Sequence, residues 1–344
     1  MIQADWESHL AGTAQFRCEK YTGKGWTNVL EFYEEWMHEV IEPNLSPATI
    51  KGYWSYYRNW FVPFFQKFPI MLHEIRLHNL TQLMNFVTLA PKTKYNVMNA
   101  FHSFLDYAHR SDRIPEMPPF PEKKKYKLTD PDFNWLDEET QLRVIDAIPD
   151  MHQPVFLWLK HHYRRPAEAC ALQWRDWDDL NQVFKIRRSI SARQIVPSTK
   201  TGAIHYQPCD PDFLPIIKKL RQEHLDRGGD FNEYIFQNPR ARRKGRRYTN
   251  ESLNVLWREA CKKEGVSISL YEGLKHSSCS QFVNEKEGTV DELQMLTDHA
   301  RRDSVLKYAK VGVGRKLALM KKRKLKIVST ADLPQDSKEG KKSK

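Results

Sequence analysis

Residues 293–308 read Leu293-Gln-Met-Leu-Thr-Asp-His299-Ala-Arg-Arg-Asp303-Ser-Val-Leu-Lys-Tyr308. A helix turns about 100° per residue, so the nine steps from His299 to Tyr308 would place the two side chains on opposite faces of one unbroken helix. The polar run Ala300–Ser304 supplies a break, with Asp303 or Ser304 as the N-cap of a second helix that carries Tyr308 back toward His299. Such a return suits a nucleophile and its partner. An ordinary helical hairpin, with a surface histidine and a half-buried tyrosine, uses the same residues. What lies upstream decides between them.

Three upstream segments bear on this. Pro154–His162 reads as a helix, Tyr163-Arg164-Arg165 as a sharp connection, and Pro166-Ala-Glu168-Ala-Cys170-Ala-Leu172-Gln-Trp174 as a new helix with proline in its first turn. Arg165 then stands at a helix N-terminus, where backbone donors hold phosphate. A local salt bridge with Glu168 is the plainer use of the same arginine. Val183–Ile190 and Ala203–Pro208 read as two short strands flanking a loop that ends Ser198-Thr-Lys200-Thr-Gly202. After a helix at Ser252–Lys263 comes Ile268-Ser-Leu-Tyr271-Glu272-Gly-Leu-Lys275-His276-Ser277-Ser278.

Arg165, Lys200, Lys275, His299 and Tyr308, in this order, resemble the motif set of the tyrosine recombinase (phage integrase) family. The resemblance covers about residues 26–315. It implies that Tyr308 attacks a DNA phosphodiester, that Arg165, Lys275 and His299 stabilise the phosphate oxygens, and that Lys200 protonates the leaving 5′ oxygen. The sequence departs from the family twice: Glu272 stands where a histidine is usual, and Lys275 where a second arginine is usual. Lysine lacks the two-pronged grip of a guanidinium. Glutamate can still accept the tyrosine proton, and a subset of the family resembles this Tyr-Glu-Gly-x-Lys-His form. The resemblance further implies double-stranded DNA as partner, a homotetramer on two DNA sites, an accessory DNA-bending or directionality factor, no cofactor, and a prokaryotic, nucleoid-associated setting. The competing readings are a type IB topoisomerase-like nicking and closing enzyme and a DNA-binding protein descended from a recombinase.

A length of 344 residues suits two domains, and ten Trp, fourteen Tyr and seventeen Phe argue against disorder. No basic start followed by an apolar run and no span-length apolar stretch occur, so a cytoplasmic protein without a membrane partner is expected. Cys18, Cys170, Cys209, Cys261 and Cys279 are scattered without paired spacing, which predicts reduced, structural thiols and no zinc site. The net charge of +12 is unevenly placed: residues 1–110 balance ten basic against ten acidic side chains, whereas residues 315–344 carry eleven against three. A polyanionic partner fits this distribution.

The expected fold is mainly α with a small β-sheet. It comprises an N-terminal segment of unassigned role (1–25), a helical core DNA-binding domain (26–110), a Pro/Lys-rich linker (111–132), an α+β tyrosine recombinase catalytic domain (133–314) and a basic tail (315–344). In the first domain, Val29 to Val40 has helical spacing. Ser46 and Pro47 open a second helix to Phe61, Pro63 and Pro69 bound the next turn, and helices follow at His78–Leu89 and from Pro91. The linker prolines and Lys123, Lys124, Lys125 suggest an extended strap along phosphates, or equally a solvated spacer. The loop carrying Arg242, Arg243, Lys244, Arg246 and Arg247 is read as DNA-binding. In the tail, leucines interleaved with lysines suggest a basic amphipathic helix, and the resemblance implies that it docks on a neighbouring protomer.

Overall fold

The computed structural model describes residues 2–13, 27–129, 134–197, 202–286, 288–298, 301–306, 317, 320 and 321. The chain divides into two compact units, Met1–Pro131 with Ser191–Gln194, and Asp132–Ile190 with Ile195–Lys344. Among the described residues no helix is long and apolar enough to cross a membrane.

The first unit is helical. Asn28 caps the helix Val29–Trp36, its Oδ1 accepting the Leu30 N–H at 2.8 Å. Ser46 and Pro47 start the next helix, Pro47–Tyr56, as their residue types predict. Both helices continue past the point where proline should stop them. Val29–Trp36 runs through a π-turn, Met37–Ile41, into Glu42–Asn44, and Pro47–Tyr56 runs through Tyr57–Phe61 into Val62–Lys67. Each π-turn ends just before a proline, Pro43 or Pro63. A proline ring clashes with the carbonyl four residues back. Widening the turn, so that Glu42 N–H reaches the Met37 carbonyl and Val62 N–H the Tyr57 carbonyl, lets the ring pass. The expectation that the second helix ends at Phe61 and that Pro63 bounds a turn is corrected on this ground.

Leu77–Phe86 and Pro91–Arg110 complete the bundle. Its centre is Tyr33, stacked on Tyr57 at 5.1 Å and edge-on to Phe61 at 5.3 Å. Residues 111–129 stay with this core more firmly than a spacer requires: Ile114 and Tyr126 are buried, Tyr126 lies edge-on to Tyr95 at 5.2 Å, and Phe120 packs on His102 at 4.6 Å. Lys123, Lys124 and Lys125 are exposed on a 3-10 turn, Lys123–Tyr126.

In the second unit, Asp137 caps Glu138–Asp146, and the helix Gln153–His162 forms the spine. Its buried Phe156 stacks on Trp257 of the helix Asn250–Lys263 at 6.2 Å, and its Trp158 meets Phe184 edge-on at 5.7 Å. The strands are β1 (Trp177–Asp178), β2 (Val183–Ile186), β3 (Ser189–Ser191), β4 (Gln194–Val196) and β5 (His205–Pro208). β1, β2 and β5 form an antiparallel sheet in that order with Phe184 opposite Gln207, and β3 pairs with β4. The strand expected over Val183–Ile190 is therefore two strands. Arg187 donates to Asp176 at 2.7 Å and Arg188 pairs with the same carboxylate, which pulls this stretch out of the ladder. Cys170, Cys209, Cys261 and Cys279 are free thiols among the described residues, and Cys18 lies outside them.

Candidate active site

The spine helix ends at Tyr163, in the left-handed conformation with φ 55°, and Arg165 then caps Pro166–Ala169. This helix has four residues, not the nine read from the sequence, because Cys170 and Ala171 turn inward and are buried. Glu168 occupies its N-terminus from inside. Only 3% exposed, its carboxylate accepts the Arg165 backbone N–H at 3.0 Å and the Arg165 Nη1 at 2.9 Å. The expected cradle of free backbone donors is thus replaced by a carboxylate, and the charge available to a ligand is that of the Arg165 guanidinium, whose side chain is 33% exposed. Partial burial works against that charge, but Glu168 and Tyr271 outweigh it and hold the arginine above its ordinary pKa. Burial likewise opposes ionisation of Glu168, and Arg165 with Lys275 overcomes it, leaving this carboxyl below the usual range.

Lys275 adds a second positive charge near Glu168. It belongs to a π-turn, Glu272–His276, and is 1% exposed. Its Nζ has no hydrogen-bond partner among the described residues. Burial and then the Arg165 charge push its pKa down to about 8. The π-turn is held by residues that the sequence reading passed over. Gln141 Nε2 donates to the Gly273 carbonyl at 2.8 Å, and Ser277 Oγ donates to the Glu272 carbonyl at 2.8 Å. Gly273 has no alternative, since a Cβ there would lie 2.2 Å from the Trp257 ring. Glu272 is half-buried and its Oε2 accepts from Ser269 Oγ at 2.6 Å. The structure thus brings Arg165, Glu168 and Lys275 together electrostatically, with Glu272 one helical turn earlier on the Ser269 side.

Lys200, His299 and Tyr308 lie outside the described residues, as does most of the tail. Their chain neighbours are placed. Helix Val290–Thr297 ends at Asp298, and a new helix, Arg302–Leu306, follows. The predicted break is present. The second helix starts before Asp303, so neither Asp303 nor Ser304 is the N-cap; Asp303 instead sits in the first turn, where the dipole favours an acid. The basic loop surrounds a surface cavity of about 540 Å³ with Arg243, Lys244, Arg246 and Arg247 on its wall, turning at Gly245 with φ 77°. Arg242 lies beside it in the same loop and is exposed.

A helical unit and a second unit with a small antiparallel sheet make up a fold already known. Residues 134–314 match the phage integrase family, and residues 29–85 match the phage integrase N-terminal SAM-like domain. The chain belongs to the phage integrase family. It is 31% identical over 168 residues to the Escherichia coli (strain K12) protein IntQ, which its name describes as defective; the match spans 42% of this chain and 41% of that protein. Among solved structures, the Tn1549 transposon integrase in complex with a circular intermediate DNA superposes with a TM-score of 0.67 at 14% identity, covering 86% of this chain and 99% of that one. A lambda integrase dimer bound to a COC′ core site gives 0.62 at 12% identity, covering 90% and 85%. The fold is that of the tyrosine recombinases, mainly α with a small sheet, as the sequence led us to expect.

Proposed function

We propose that the protein is a site-specific recombinase that cuts and rejoins double-stranded DNA through a 3′-phosphotyrosyl intermediate, integrating or excising a mobile element. The observation that carries this reading is the pair of cations about Glu168. One buried carboxylate faces two cations, Arg165 and Lys275, and the Lys275 Nζ is unsatisfied. A buried ammonium without a partner is unfavourable, and an anion such as phosphate relieves it.

On this reading a phosphodiester lies over Arg165 and Lys275. The Tyr308 oxygen attacks phosphorus, a tyrosyl O–P bond forms, and the bond from phosphorus to the 5′ oxygen breaks. Glu272 takes the tyrosine proton and Lys200 gives one to the departing oxygen. Arg165, Lys275 and His299 stabilise the non-bridging oxygens in the transition state. The bond energy stays in the protein–DNA link, so rejoining needs no nucleotide. The lambda integrase tetramer bound to a Holliday junction, with a TM-score of 0.60 at 13% identity, supports a ring of four on two sites.

A duplex nicked so that the cleaved fragment diffuses away tests the chemistry. Wild type should accumulate a covalent adduct, and Tyr308→Phe should form none while binding the duplex nearly as well. Adducts persisting in Tyr308→Phe would move the nucleophile elsewhere. A two-site strand-exchange assay then separates a recombinase from a topoisomerase-like enzyme. Tight binding without any adduct would favour the inactive DNA-binding reading, to which the name of the relative IntQ lends support.

A further inference from the structure

Arg164 and Asp298 each stand one residue before a candidate site residue, Arg165 and His299, and the fold joins them. The Arg164 side chain is 3% exposed, and its Nη2 donates to Asp298 Oδ2 at 2.6 Å. Its Nε donates to Gln207 Oε1 at 2.9 Å. His205 Nδ1 lies 3.2 Å from the same Asp298 oxygen. Gln207 and His205 are alternate residues of β5 and so share a face of the strand. β5 is also the strand into which the chain runs after Lys200. The four side chains thus tie together three segments, each of which carries a candidate site residue.

The backbone of Asp298 shows that this tie has a cost. The residue ends its helix with φ 50° and ψ 39°, in the left-handed region. A side chain there is strained, although aspartate tolerates it better than most, whereas glycine adopts it freely. Backbone geometry alone would favour glycine at this position. What glycine lacks is the carboxylate that Arg164 and His205 hold.

We propose that Arg164 and Asp298 are positioning residues whose ion pair, braced by Gln207 and His205, registers the chain entering His299 against Arg165. The inference rests on the phosphotyrosyl reading above. A guanidinium–carboxylate pair whose arginine is buried is short and directional, which suits it to fixing two loops. Displacing a catalytic group by about 1 Å costs on the order of 10²-fold in rate.

The test uses the full chain with Asp298→Gly, Arg164→Met, both together, and His299→Ala. Adduct formation is timed on nicked duplexes carrying either a phosphodiester or a methylphosphonate at the scissile position, and duplex affinity and thermal unfolding are measured alongside. Asp298→Gly relaxes the backbone, so it should fold and bind DNA like wild type yet form adduct about 10-fold more slowly or worse. Because the pair acts as a unit, the double variant should be no slower than Arg164→Met. Methylphosphonate lacks the charge that Arg165 and His299 hold, so the losses in Asp298→Gly and in His299→Ala should shrink together on it. A merely structural loss would be equal on both substrates and would overturn the proposal, as would a wild-type rate in Asp298→Gly. If Arg164→Met fails to fold, Asp298→Gly still decides. Absence of adduct in wild type on both substrates would sink the parent reading as well, which separates the two failures.

Discussion

Glu168 accepts hydrogen bonds from both ends of Arg165, the backbone N–H at 3.0 Å and the guanidinium at 2.9 Å, while buried to 3% exposure near the Lys275 ammonium. One carboxylate therefore holds one candidate phosphate ligand in position and offsets part of the burial that discharges another.

Replacing Glu168 by Gln keeps the shape and removes the charge. Breaking a buried pair from one side costs about 3–5 kcal/mol, so a fall in unfolding free energy of that order is expected, partly restored by sulfate or phosphate. Since the folded carboxyl is held below its ordinary pKa, its contribution is present above about pH 4.3 and lost as pH falls through the folded value. Wild type should lose stability in acid more steeply than Glu168→Gln. Urea titrations between pH 3 and 7 read this, and parallel curves would refute it.

Lys275 titrates near 8 in the folded protein, by burial first and the Arg165 charge second. If the charged form stabilises the scissile phosphate, adduct formation should decline as pH rises through about 8. Lys275→Arg should retain activity and extend the alkaline limb, and Lys275→Ala should slow adduct formation on the order of 10²-fold. Stability has the opposite sign. Between about 8 and the ordinary lysine value near 10.4 the unfolded chain binds the extra proton, so this group makes the fold more stable as pH rises. Equal rates for Lys275→Arg and Lys275→Ala would remove the residue from the site.

Gly273→Ala should be strongly destabilising, because its Cβ would fall 2.2 Å from a buried tryptophan ring. Overpacking of this kind costs about 1–3 kcal/mol and displaces the backbone of the turn that carries Lys275. A thermal melt unchanged from wild type would show that the turn has slack. A drop in adduct beyond what the melt explains would show that the turn aligns the lysine.

Neutralising Arg243, Lys244 and Arg246 to Gln tests the basic loop. For every phosphate that the loop no longer neutralises, the slope of log affinity against log salt should flatten by about 0.9. Adduct chemistry at saturating DNA should be little changed, because no neutralised side chain pairs with Glu168 or Lys275. An unaltered salt slope would place the duplex elsewhere.

The sequence by itself determined what local chemistry dictates. Ser46 caps its helix because a short polar side chain satisfies the first free N–H groups wherever it stands. The break between residues 298 and 302 was legible from its polar run, and the order of Arg165, Lys275, His299 and Tyr308 was enough to indicate a family. The π-turns were not legible, because local rules end a helix at proline, whereas a widened turn ahead of Pro43 and Pro63 lets each ring pass. The electrostatics of the site were equally hidden. The protonation of Lys275 depends on how completely other segments exclude water from it, and the Arg164–Asp298 pair spans 134 residues of chain. A spacing rule cannot see desolvation or a partner that far away; both exist only once the second unit has closed around them.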